Sequence, residues 1–167
     1  MALPEQESLY TIAEIAVALL GVSGLVAVFL AKGRLHPWDR FRFSYIAMFS
    51  SLTVLLAFTP IWLARYVSDL TTVWAISSAG YLVSAWIVLA AGRLTSYEDV
   101  RRLQQSTSRA YRALGNLLVL IVQPVIIFNI VAWPFESNGT AYELALVLTI
   151  VHLALTFVGL ALFRPPD

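Results

Sequence analysis

The residues best able to do chemistry in this chain are polar groups set inside long apolar runs. Glu14 stands between Ala13 and Ile15, and His152 lies midway along the run 141–163. Gln123 and Asn129 interrupt the run 117–135, and Ser77, Tyr81 and Ser84 recur at helical spacing between Leu70 and Ala91. A carboxyl in such surroundings binds a proton or a cation, or serves as a hydrogen-bonded structural group. An imidazole there can relay protons near neutral pH.

The cost of such groups directs where they point. An acidic side chain at the centre of a bilayer helix costs about 2.5–3.5 kcal/mol on insertion scales and rarely faces lipid. Ala18 and Gly21 follow Glu14 on one helical face, and small residues let a neighbouring backbone approach closely. Glu14 is therefore expected to point into the helix bundle or into an oligomer interface. Ala145, Thr149, Thr156 and Gly159 share the face of His152 at about 100° per residue, giving the most polar stripe in the chain. That stripe either lines a hydrated pathway or packs helix on helix through small and hydroxyl residues. Glu14 beside Asn129, with His152 beside Gln123 or Tyr81, would satisfy every expensive group within the bundle.

Other chemistry lacks its residues. With no cysteine there are no disulfides, thiolate metal sites or iron–sulfur ligands. HExxH, GxSxG, P-loop, GxGxxG and CxxC patterns are all missing from the sequence, as are Arg-repeat and TVGYG patterns. The second of the two histidines, His36, sits beside Pro37 and Trp38 in a polar loop, where it solvates or caps a turn. No catalytic, cofactor-binding or metal-ligating residue is assigned, and no enzyme activity is expected.

The elements that must position these groups are transmembrane helices. Of 167 residues, 59% are hydrophobic and only 13% charged, with net charge +1, and the mean hydropathy is +0.78. That composition belongs to an integral membrane protein and carries no nucleic-acid signal. About 20 mostly apolar residues cross the hydrocarbon layer, and five stretches qualify: 9–31, 44–64, 70–91, 117–135 and 141–163. The expected fold is all-α, one transmembrane domain over 1–167. The fourth span is interrupted by Gln123-Pro124, Asn129 and Pro134, so kinks are expected near Pro124 and near Pro60.

Charge orients the helices. Of the eleven Lys and Arg residues, all but Arg65 fall in the loops 32–43 and 92–116 or after the last span. Cytoplasmic loops are enriched in Lys and Arg, which places the N-terminus outside and the C-terminus in the cytoplasm. Tyr10, Trp62, Tyr66, Trp74, Trp133 and Tyr142 then mark an outer aromatic belt, and Trp38, Tyr45 and Tyr111 an inner one. The acidic N-terminus is not that of a cleaved signal peptide. A bacterial cytoplasmic membrane is the expected location.

Within the second cytoplasmic loop, Thr95 and Glu98 fit a capping box. Behind it Val100, Leu103, Thr107, Ala110, Tyr111 and Leu114 alternate with Arg101, Arg102, Gln105, Arg109 and Arg112 at helical period. This predicts an amphipathic helix over 96–114 that lies on anionic lipid at the inner interface or extends the fourth span into the cytoplasm. A shift of 71 residues aligns Trp62 with Trp133, Arg93 with Arg164 and Tyr81 with His152, no more than shared membrane patterning supplies. Asn138-Gly-Thr140 matches a glycosylation sequon but is squeezed against the membrane.

Five short helices leave little room for a private pathway, so transport would be easier at a subunit interface. The leading expectation is a homo-oligomeric channel or transport component for a small ion or proton, lined by Glu14, Asn129, His152 and Gln123, with Tyr81 and Ser77 nearby. The alternative is a non-catalytic accessory or scaffold subunit bound to a membrane-protein partner.

Overall fold

Three of the described helices begin at a residue that answers the orphan amides of the first turn, a proline in one and a side-chain oxygen in two. The computed structural model describes residues 3–31, 37–106, 109–131 and 138–162, with only the backbone described at 30–31, 37–42, 89, 91–106, 109–116, 119 and 159–162. Expectations placed on Lys32, Arg34, His36, Thr107, Trp133, Pro134, Glu136 and Arg164 lie outside the described residues. Five helices are present: α1 Gln6–Ala31, α2 Pro37–Leu63, α3 Leu70–Ser106, α4 Arg109–Val131 and α5 Gly139–Leu162. Pro37 opens α2, a position where its missing N–H costs nothing. Asp69 caps α3, accepting hydrogen bonds from the backbone N–H of Thr71 (3.2 Å) and Thr72 (3.1 Å). Asn138 caps α5 through its side-chain oxygen, which accepts from the N–H of Ala141 at 2.9 Å.

Four of these helices contain stretches long and apolar enough to cross a bilayer: Gln6–Phe29, Phe43–Leu63, Leu70–Val88 and Gly139–Val158. In α4 the apolar stretch among the described residues is shorter, Leu120–Val131. The outward surface is apolar, with Val28, Phe29, Leu55, Leu120 and Phe128 all at least 65% exposed. A surface of that kind suits lipid rather than water.

The expected amphipathic segment is divided between two helices. Residues 96–106 continue α3 without a break, and 109–114 are the first turns of α4. Thr95 is therefore interior to a helix and caps nothing. The physical reason is local: no proline or paired glycine interrupts Gly92-Arg93-Leu94-Thr95, and a continuous helix avoids four orphan carbonyls and four orphan amides. The 37 residues of α3 reach about 55 Å, well beyond a hydrocarbon layer of roughly 30 Å.

Around the bundle each helix packs on the next in chain order, α5 closes onto α1, and α2 and α5 meet across the middle. One apolar core runs through it, from Leu9 and Ile12 of α1 through Leu56, Val73 and Ile126 to Leu146 of α5. Alanines at 13, 57, 85 and 145 in that core bring backbones close, as membrane helices require without a strong solvent-driven force between them.

Both internal prolines are carried inside continuous helices, Pro60 in α2 and Pro124 in α4. Pro60 has no N–H to donate to the carbonyl of Leu56 one turn back. Tyr142 of α5 supplies the missing donor, its hydroxyl lying 2.8 Å from Leu56 O. That phenol is fully buried, with its ring against Trp74 at a centroid separation of 5.8 Å.

Candidate functional site

Four helices, α2 to α5, meet in a ladder of hydrogen-bonding side chains that runs along the interior of the bundle. At the end where α5 begins, Asn129 of α4 is buried and its amide nitrogen donates to Ser78 Oγ of α3 at 2.9 Å. The same nitrogen donates to the carbonyl of Asn138 at 3.2 Å, while its oxygen accepts from the N–H of Asn138 at 2.9 Å. One amide thus ties α4, α3 and the entrance of α5, which matches every donor and acceptor it carries to a fixed partner.

One turn along α3 from Ser78, the buried Tyr81 reaches Thr149 of α5, with 2.6 Å between the oxygens. Thr149 spends its proton on the carbonyl of Ala145 at 2.8 Å, so Tyr81 is the donor of this pair. Back-bonding of this kind keeps a hydroxyl inexpensive inside a membrane helix. A further turn along α5, His152 Nε2 lies 3.0 Å from the hydroxyl of Tyr45 on α2, the two rings meeting edge-on. Thr156 donates to the carbonyl of His152 at 2.9 Å.

His152 is the one ionisable side chain among the rungs other than phenols, and its two nitrogens differ. Nε2 is held by Tyr45, whereas the buried Nδ1 has no hydrogen-bond partner among the described residues. If Tyr45 donates, the ring proton sits on Nδ1; if Nε2–H donates, Nδ1 offers a lone pair. Either tautomer leaves one ring nitrogen able to exchange a proton with something other than Tyr45.

Several expected neighbours are not brought together. His152 pairs with Tyr45 rather than with Gln123 or Tyr81, and Asn129 pairs with Ser78 and Asn138 rather than with Glu14. Gln123 is half-buried on α4, outside the ladder. Ser77 is buried one turn from Tyr81, and its hydroxyl has no partner among the described residues. Glu14 does not enter the bundle at all. It is exposed on the outer side of α1 together with Ala18 and Gly21, while Leu9, Ile12, Ala13 and Ala16 supply the buried side. The reason is that α1 packs through its alanines on α2 and α5, and a long carboxylate on that face would hold the backbones apart.

Tyr45, expected in the inner aromatic belt, is instead a rung of the ladder. A signal existed: Tyr45, Phe49 and Leu56 share one helical face, and that face is the one turned to α5. Ser78 was passed over because its neighbour Ser77 shares the face of Tyr81.

The fold and the ladder define an all-helical bundle, four of its described helices long and apolar enough to cross a membrane, with a line of polar side chains beside its apolar core. No protein-family model matches the chain, and neither does any curated protein or solved structure.

Proposed function

We propose that this chain is a five-span membrane protein, N-terminus outside and C-terminus cytoplasmic, that works as a homo-oligomer and moves a small ion, the proton above all. The segregation of basic residues supports the orientation, and a bacterial cytoplasmic membrane fits it. In that frame α4 is the fourth of the five spans, and the basic segment 96–114 lies where anionic headgroups concentrate. Asn129 sits at the outer end of the ladder and Tyr45 towards the inner end.

The observation that carries the reading is His152, bonded through Nε2 to Tyr45, with Nδ1 buried and without a partner among the described residues, one turn from the Tyr81–Thr149 pair. Hydroxyls and imidazoles pass protons by exchanging hydrogen bonds. No rung holds a fixed charge that would bind a metal ion, so the proton is the species this ladder fits. Reconstitution in liposomes under imposed pH and ion gradients tests this. Protein-dependent proton flux, lowered by His152→Ala, is expected; flux absent for every ion across the pH range would end the proposal.

A second reading is a non-catalytic accessory subunit of a larger membrane complex. It is favoured by the unpartnered outer face of α1, which carries a carboxyl that lipid cannot satisfy. Recovery of a stable complex with another membrane protein after gentle solubilisation would support it.

A further inference from the structure

Glu14 makes no hydrogen bond or ion pair among the described residues, yet it lies within the apolar stretch Gln6–Phe29, on the order of 12 Å along α1 from its start. At that depth hydrocarbon offers neither donor nor acceptor, so the carboxyl needs a protein partner. The residues around it have an order of their own. Glu7, Thr11, Glu14, Ala18, Gly21, Leu25 and Val28 follow one another in alternating steps of four and three, and every one of them is exposed. They stand opposite the buried line Leu9, Ile12, Ala16, Ser23 and Ala27. A strict repeat averaging about 3.5 residues keeps one seam turned to a partner helix over its whole length. Ala18 and Gly21 lie at its middle, and a Cβ added at Gly21 would meet nothing within 4 Å.

We infer that this seam joins two copies of the chain, α1 against α1, parallel and crossing at a shallow left-handed angle, with Glu14 facing Glu14 across a two-fold axis along the bilayer normal. The inference rests on the homo-oligomeric part of the reading above. A second copy is the occupant that the chemistry favours because the seam's only deep polar group is self-complementary. One carboxyl O–H donates to the oxygen of the other, and an isologous interface brings the two together by symmetry. A basic partner helix would complement Glu14 as well, but nothing else on the seam asks for one. The small residues at its centre are matched by the same small residues on the copy. A single polar position of this kind also fixes register, because any slip strands both carboxyls in lipid.

The absence of native cysteine makes the test direct. Single-cysteine variants Ala18→Cys, Gly21→Cys and Leu25→Cys on the seam, and Ile15→Cys and Val22→Cys beside it, are made in the full chain. Each is reconstituted in phosphatidylcholine vesicles and oxidised with copper phenanthroline. Disulfide-linked dimers are expected at 18, 21 and 25 and much less at 15 and 22. In dilution experiments that follow energy transfer between labelled copies, Glu14→Leu is expected to weaken association about 3- to 15-fold, and Glu14→Gln, which keeps a self-pairing group, to retain it. Equal cross-linking at all five positions, none at any of them, or an unaltered Glu14→Leu dimer would overturn the inference. So would recovery from native membranes of a 21-cysteine adduct with a different protein in place of the homodimer. Proton flux is read separately: flux with no α1 dimer sinks the seam alone, and a dimer with no flux sinks the transport reading alone.

Discussion

Replacing Tyr142 by Phe removes one oxygen from a fully buried ring and leaves its contacts with Trp74 and Tyr81 in place. The carbonyl of Leu56, already deprived of a donor by Pro60, then has none. A buried acceptor left unsatisfied costs about 1–3 kcal/mol in water-soluble proteins. Hydrogen bonds between membrane helices average about 0.6 kcal/mol and reach about 1.7. The expected penalty for Tyr142→Phe is therefore about 1–2 kcal/mol, because here no backbone donor is at hand to take over. Pro60→Ala restores an N–H one turn from Leu56, and in that background the same tyrosine change should cost close to nothing. Equilibrium unfolding of the four proteins by denaturing detergent in mixed micelles gives the double-mutant cycle, with a coupling of about 1 kcal/mol expected. An equal penalty in both backgrounds would show that Tyr142 does not replace the donor that Pro60 lacks.

Two further perturbations act at the end of the bundle where α5 begins. A Cβ at Gly139 would fall 2.5 Å from Glu5 Oε1 and 2.7 Å from Trp74 Cζ2. The Glu5 side chain can swing aside but the buried indole cannot, so Gly139→Ala should destabilise by about 1–3 kcal/mol although alanine is the better helix former; an unchanged unfolding midpoint would refute the close packing there. Asp69 accepts hydrogen bonds from the hydroxyls and amides of Thr72 and Thr71, and these hold its carboxyl below the usual range. A lowered folded value means that the cap contributes fully above the unfolded carboxyl pKa of about 3.9 and is lost as pH falls through the folded value. The gap in thermal midpoint between the native chain and Asp69→Ala should thus be steady near neutral pH and narrow below about pH 4, and a gap that widened with acid would contradict this.

How far the sequence could be read depended on what the bilayer imposes. Helix extents were legible because hydrocarbon thickness sets a minimum length: the expected 9–31 and 141–163 stand beside the observed Gln6–Ala31 and Gly139–Leu162. Rotation about the helix axis was not. In α1 the residues facing lipid and those facing α2 are equally apolar, so hydropathy carries no phase, and Glu14 came to lie on the side away from the bundle. The stripe of Thr149, His152 and Thr156 does turn inward, but its partners come from the meeting of α2, α3 and α5, separations of 68 and 107 residues that no local pattern encodes. The capping box at Thr95 was a local signal overruled by the continuity of α3.

In the proposed transport, protons pass along the rungs around His152. Proton uptake into liposomes loaded with a pH-sensitive dye, with the membrane potential clamped by valinomycin and potassium, tests it most directly when native protein is compared with Tyr45→Phe. That change removes the oxygen bonded to His152 Nε2 while the ring can still pack on Phe49. The account requires flux through the native protein and a marked loss in Tyr45→Phe at equal reconstitution; equal flux through both would contradict it.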